Sequence, residues 1–287
     1  MQAAIAKDLL RQARSIQVPD GSTISSLTVA QIEQLAARYG VSTKDIEIIA
    51  LENRIIPLRY ARNFNATTFG AQIRLLKSTV AVIGLGGLGG TVVEILARVG
   101  VGSLNLADGD VFEDHNLNRQ LFSTQEVLGL SKAKAARDRI RSTNASVDVT
   151  ISDFSITADN VSRILADCQV VVDCLDNIPT RLMLQKAARQ AGIPMVSAAV
   201  AGTTAHITTF FPEDEGLALI YGPAENLKSE KGAETTLGCL PQAVFLTASI
   251  ECAEVIKVLQ EKTDKLLRNK LLVVDLIDNT FETLQLA

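Results

Sequence analysis

"AVIGLGGLGGTVVEILARVG", residues 81–100, joins an apolar run to a knot of glycines and then to an amphipathic helical pattern. Gly84, Gly86 and Gly89 satisfy G-x-G-x-x-G directly after a strand-like run and before a helix, and Asp108 stands 19 residues beyond Gly89 at the end of the next strand-like run. That is the spacing of a nucleotide-binding βαβ unit. Glycines let the backbone approach phosphate, the helix N-terminus supplies free N–H groups and positive potential, and Asp108 can accept hydrogen bonds from a ribose. These features require a ribonucleotide without choosing among ribonucleotides.

Outward from the knot, strand and helix patterns alternate. "TVAVIG", "SLNLAD", "DVTIS", "VVVDCLDN" and "PMVSAAV" read as strands, and "GGTVVEILARVG", "KAKAARDRIRST", "VSRILAD" and "RLMLQKAARQAG" as the helices between them. Strands alternating with helices at this spacing make βαβ units and a mostly parallel sheet covered on both faces. The later segments "AHITTFF" and "LLVVDLIDNTFETLQL" alternate like antiparallel strands around a helix over "TASIECAEVIKVLQEK". The expected fold class is α/β, a doubly wound Rossmann-like sheet with an antiparallel extension, over residues 58–287. Residues 212–238 are polar and glycine-bearing and read as a long surface loop, a type that is often functional.

Residues 1–57 read as a small helical appendage. Thr28 with Gln31 opens a helix that Gly40 stops, and Ser42 with Asp45 opens a second that ends near Pro57. The pair superficially resembles a helix-turn-helix. Its second helix carries "DIEIIALE" where a DNA reader presents basic and amide groups, so a docked or partner-contacting hairpin is the reading.

The stretch after the second strand selects the nucleotide. "LADGDVFEDHNLNRQLF" places Asp108, Asp110, Asn116, Asn118, Arg119 and Gln120 together, and "LGLSKAKAA" adds Lys132 and Lys134. A dehydrogenase needs no such cluster. A triphosphate does, because charge developing on the α-phosphate and on leaving pyrophosphate must be neutralised by Arg, Lys and usually a metal ion. "VVVDCLDNIPTR" then brings Asp173, Asp176, Asn177 and Arg181 to the end of a parallel strand, where Asp176 is a sensible Mg²⁺ ligand and Asp173 a structural residue.

Composition excludes several classes. The 28 basic against 32 acidic residues of the 287 give a formal charge of −4, so no global positive field favours nucleic acid or anionic lipid. No apolar stretch reaches membrane-spanning length and no secretory h-region is apparent, so a cytoplasmic protein is expected. Cys168, Cys174, Cys239 and Cys252 form no C-x-x-C pair, and most read as small buried residues. His115 reads as a surface residue and His206 as part of a strand.

The combination of "GLGGLGG", "DGDVFEDHNLNRQ", "SKAKA" and "DCLDNIPTR" resembles the adenylating enzymes that activate ubiquitin-like proteins, the ThiF, MoeB and HesA group. The segments "PLRYARNFNATTFG", "SAAVAGTTAHITTFFPED" and "LGCLPQAVFLTASIECAEVIKVL" extend the resemblance to the C-terminus. It implies an ATP-dependent adenylyltransferase acting on the Gly-Gly C-terminus of a ubiquitin-like sulfur carrier, with ATP and Mg²⁺ as cofactors. By the same resemblance Asp108 binds ribose, the backbone of Gly86 and Gly87 lines the nucleotide, and Asn116 and Arg119 hold phosphates. Lys132 contacts the transferring phosphate and Asp176 positions Mg²⁺. Arg62 matches an arginine donated across a dimer interface, which implies a homodimer.

The sequence departs from that pattern in two places. Many bacterial members carry paired C-x-x-C motifs for zinc; "GLALIYG" stands at the first place and no pair follows, so no zinc is expected. No cysteine lies in 212–238, and Cys239 has only apolar neighbours in sequence, so it reads as buried and the reaction is expected to stop at the acyl-adenylate. The N-terminal helices are expected to compensate for the zinc by packing on the sheet extension or on a partner subunit. Two alternatives stay open: a zinc-less branch of the family that adenylates and dehydrates a carboxylate on tRNA, and an NAD-dependent oxidoreductase that would leave "NLNRQ", Lys132 and "CLDN" unexplained.

Overall fold

The computed structural model describes residues 1–17, 21–227 and 231–286. The chain opens with α1 (Gln2–Gln12), β1 (Arg14–Gln17), β2 (Thr23–Leu27), α2 (Val29–Tyr39), α3 (Thr43–Glu52) and β3 (Ile55–Pro57). Both anticipated capping boxes form, Thr28 with Gln31 and Ser42 with Asp45, and Gly40 closes α2 at φ 65°. The expectation of a purely helical appendage is corrected by a three-stranded sheet in which β2 pairs antiparallel with β1 and parallel with β3. Ile5, Leu9, Leu35, Ile46 and Ile55 form a separate core for this unit.

Of the two expected docking places, the sheet extension and a partner subunit, the unit does not take the first within this chain. α4 (Phe69–Leu76), β4 (Thr79–Ile83), α5 (Gly87–Val99), β5 (Ser103–Ala107), α6 (Lys132–Thr143) and β6 (Asp148–Ser152) follow it, and it docks at their far edge. Lys44 Nζ donates to Gly102 O at 3.2 Å and pairs with Asp148 at the start of β6. Glu47 is fully buried beside this contact, where Tyr60 Oη donates to its Oε2 at 3.1 Å and Arg59 Nε lies 3.4 Å from its Oε1. Burial pushes this carboxyl up while Arg59, Ser146 and Tyr60 pull it down. Behind these polar contacts Leu51 and Ile56 of the unit pack with Tyr60 and Leu76.

The remaining elements are α7 (Val161–Leu165), β7 (Val170–Asp173), α8 (Ile178–Ala191), β8 (Met195–Ala201), β9 (Thr204–Phe210), α9 (Ala218–Tyr221), α10 (Glu234–Leu237), α11 (Pro241–Leu259), β10 (Lys270–Asp275) and β11 (Thr280–Gln285). The eight-stranded sheet runs β11-β10-β9-β8-β7-β4-β5-β6, parallel from β8 to β6 and antiparallel from β8 to β11. Period-two alternation divides the core: Val80 and Val82 pack with α5, α6 and α11, whereas Ala81 and Ile83 pack with α7 and α8. The strand order reverses between β4 and β7, so a crevice opens at their carboxyl ends.

The anticipated loop over 212–238 is not a plain surface loop. It contains α9 and α10, buries Leu217 and Asp214, and folds back so that Lys231 bridges to Asn177; residues 228–230 of it lie outside the described residues. Among the described residues no helix is long and apolar enough to cross a membrane.

Candidate functional site

A cavity of about 660 Å³ occupies the crevice. One wall is the glycine turn between β4 and α5, where Gly84, Gly86 and Gly87 line the space. Gly84 takes φ 87°, and a Cβ there would stand 2.6 Å from the Cys174 carbonyl oxygen. Gly89 does not line the cavity. A Cβ on it would fall 1.8 Å from Gly84 O, so this glycine lets α5 pack against its own turn. A Cβ on Gly86 would meet only Gln120 Nε2 at 3.6 Å, so the protein itself leaves room there.

Asp108, at the end of β5, ties the turn to the opposite wall. Its Oδ2 accepts from Leu85 N at 2.6 Å and its Oδ1 from Asp110 N at 2.8 Å. Burial raises its pKa, opposed by those two N–H groups and by Lys132. Lys132 is buried at the start of α6 and lines the cavity, its Nζ 2.9 Å from Asp110 Oδ2. A lysine side chain withdrawn from water with one exposed carboxylate partner is a cation placed for a second anion.

The turn carrying "NLNRQ" divides its residues by role. Arg119 and Gln120 line the cavity. Asn116 does not: its Oδ1 accepts from Glu113 N at 3.0 Å, and its carbonyl oxygen accepts from Arg119 N and Gln120 N at 3.1 and 2.9 Å. It holds the turn that presents the two neighbours. Gln120 is buried with Oε1 lacking a partner among the described residues. Arg119 Nη1 donates to His115 O and to Asn118 Oδ1 at 2.9 and 2.8 Å.

At the end of β7, Asp176 lines the cavity with its side chain exposed. Asn177 beside it caps α8, its Oδ1 accepting from Thr180 N at 2.9 Å and Thr180 Oγ1 at 2.7 Å. Asp173 is structural, as anticipated: Arg181 Nη1 meets its Oδ2 at 3.1 Å with both side chains buried, and Ser197 Oγ donates to the same oxygen at 2.7 Å. Arg181 Nη1 also donates to Ala198 O at 2.8 Å, so this pair clamps β7, α8 and β8 where Asp176 emerges.

The far wall holds residues that local sequence did not single out. Thr204 and His206 on β9, Ala199 and Ala201 on β8, and Tyr221 and Glu234 from the 212–238 segment all line the cavity. The signal for His206 was the alternation that puts Thr204 and His206 on the face opposite Ala205 and Ile207, which pack in the core beside α11. Cys239 lines the cavity too; burial pushes its thiol up, and Arg119 pulls the other way, a cation that sequence proximity did not reveal. Arg62 is exposed and outside this chain's own cavity. Among the described residues no cluster of three or more metal-ligating side chains occurs.

Residues 60–287 match the ThiF family. The chain belongs to this family. As a ThiF-family protein it is 36% identical over 229 residues to the SAMP-activating enzyme E1 of Haloferax volcanii, covering 78% of this chain and 83% of that one. It is 32% identical over 216 residues to the sulfur carrier protein ThiS adenylyltransferase of Bacillus subtilis, covering 74% of this chain and 64% of that one. The crystal structure of PaaA shares the fold with a TM-score of 0.66 at 17% identity, covering 96% of this chain and 99% of that one.

Proposed function

We propose that this ThiF-family chain is an ATP-dependent adenylyltransferase that activates the C-terminal carboxylate of a ubiquitin-like sulfur carrier as an acyl-adenylate. The observation that carries the reading is the convergence, in one cavity at the strand-order reversal, of the glycine turn, Asp108, Arg119, Lys132 and Asp176. Relatives named for protein-carrier activation favour it over the tRNA and dinucleotide readings.

In the proposed reaction a carboxylate oxygen attacks the α-phosphorus of ATP, the bond from that phosphorus to the bridging oxygen breaks, and pyrophosphate leaves with the electron pair. No side chain needs to become covalently attached. Asp108 accepts from the ribose, and the turn at Gly86 and Gly87 offers backbone N–H groups to the phosphates. Arg119 and Lys132 supply positive charge as negative charge builds on pyrophosphate. Gln120 has a free acceptor at the same wall.

Asp176 is the exposed carboxylate suited to Mg²⁺, which binds through one or two carboxylates plus substrate phosphates and spreads the phosphate charge when present. Asn116 acts by holding the turn, and Asn177 by starting α8. Arg62, on the outer surface, would serve the cavity of a second subunit in a homodimer.

Carrier-dependent exchange of pyrophosphate into ATP tests this, using a Gly-Gly-ended carrier. The wild type is expected to exchange, and Asp176→Ala or Arg119→Ala to abolish it. Full activity in both variants would overturn the site; no exchange by the wild type would overturn the function.

A further inference from the structure

His206 is the one imidazole in the cavity wall. It is half-buried on β9, and among the described residues its ring makes no hydrogen bond or ion pair. A half-buried ring that lines the cavity with its hydrogen-bonding capacity unspent on the described residues can offer that capacity to a ligand. Burial holds its pKa below the ordinary value, so near neutral pH the ring is uncharged, with one N–H donor and one nitrogen acceptor.

Its place in the sheet says which part of a substrate it meets. His206 pairs with Ala199 on β8, two residues past Ser197, which pairs with Asp173 at the end of β7. The sheet floor therefore continues beyond the β7 end, where Asp176 emerges. Strands lie about 4.8 Å apart, so β9 is roughly 10 Å across the sheet from β7 and roughly 19 Å from β5 and Asp108. That is the end of the cavity away from Asp108, which the adenylation reading assigns to the ribose. An extended chain advances about 3.3 Å per residue, so an acyl chain whose carboxylate lay beside Asp176 would reach β9 two or three residues upstream. The neighbours on the floor, Ala199 and Ala201, leave a peptide backbone room to lie against the sheet.

We propose that His206 reads the backbone of the incoming acyl chain, pairing with a peptide group two or three residues before the carboxylate that is adenylated. This rests on the adenylation reading. The group is a specificity-determining residue: it touches the substrate chain without touching the atoms that react.

Kinetics of carrier-dependent pyrophosphate exchange in the wild type, His206→Ala and His206→Gln, with ATP-induced thermal stabilisation of each, test it using a recombinant Gly-Gly-ended carrier. Loss of one or two neutral hydrogen bonds predicts a carrier KM raised about five- to tenfold in His206→Ala, a much smaller fall in kcat, and an unaltered ATP stabilisation. The amide of His206→Gln, which also donates and accepts, is expected to restore part of the KM. An unaltered carrier KM in His206→Ala, or a KM that moves only together with the ATP stabilisation, would overturn the proposal and leave the adenylation reading standing. A wild type that is stabilised by ATP yet fails to exchange would overturn the adenylation reading and this proposal with it.

Discussion

Lys132 Nζ lies 2.9 Å from Asp110 Oδ2, and Lys132 N donates to Asp110 O at 3.0 Å, so one residue holds both ends of this cavity-lining lysine. The lysine side chain is 8% exposed and the carboxylate 69% exposed. In the absence of ATP this carboxylate is the ammonium's hydrogen-bond partner; a bound triphosphate would offer another. Asp110→Asn should therefore destabilise the free protein by about 1 kcal/mol, the upper end for a pair with one exposed member. The ATP-induced rise in Tm should be larger in the variant than in the wild type, because phosphate restores what was removed. Equal rises would show that Lys132 does not change partners.

The two glycines that look alike in G-x-G-x-x-G should fail differently. Gly89→Ala places a methyl 1.8 Å from Gly84 O, a backbone clash that must displace the turn or α5, and should cost more than about 2 kcal/mol. Gly86→Ala meets nothing closer than Gln120 Nε2 at 3.6 Å and should lower Tm by a few degrees at most, while the ATP-induced rise is lost. Thermal melts with and without ATP separate the two; a Gly86→Ala variant fully stabilised by ATP would contradict the placement of phosphate at this turn.

The Asp173–Arg181 pair should behave as a buried one. Arg181→Ala leaves Asp173 with Ser197 as its one side-chain partner among the described residues and removes the donor to Ala198 O. Breaking a buried pair from one side costs about 3–5 kcal/mol, enough to shift denaturant midpoints strongly. A midpoint close to wild type would mean that the clamp beneath Asp176 is not needed for stability.

Acid should reveal His206. Its pKa is held below 6.5 by burial, so the unfolded chain takes up a proton first as pH falls. The stability contributed by the neutral ring is complete above 6.5 and is lost as pH drops through the lower folded value. The raised carboxyls of Glu47, Asp108 and Glu251 act in the opposite sense and are common to wild type and variant. The wild type should thus lose stability relative to His206→Gln as pH falls below 6.5. A stability difference that stays constant over that range would contradict the buried neutral state.

What could be read in advance was what depends on near neighbours in the chain. The glycine turn, the capping boxes at Thr28 and Ser42, and the alternation of Val80 to Ile83 all follow from spacings of a few residues, and they placed Asp108, Lys132 and Asp176 at strand or helix ends facing one crevice. What depended on distant pairing was not legible. The strands β1 and β2 carry polar, mostly exposed residues, and β2 acquires its parallel partner β3 only after two helices. Asn116 belongs to the phosphate motif by sequence, yet its side chain is spent on Glu113 N within the same turn. Arg119 acts on Cys239, and His206 reaches the cavity, only because β8, β9 and the 212–238 segment fold across the end of β7.

Transfer of label from ATP to the carrier tests the central claim most directly. With ATP labelled at the α-phosphorus, the account predicts carrier-bound label that appears with release of unlabelled pyrophosphate and is absent with Asp176→Ala. Label reaching the carrier from the γ-phosphorus instead, or no carrier-bound label while the protein binds ATP, would contradict adenylation of a carrier carboxylate as the chemistry of this cavity.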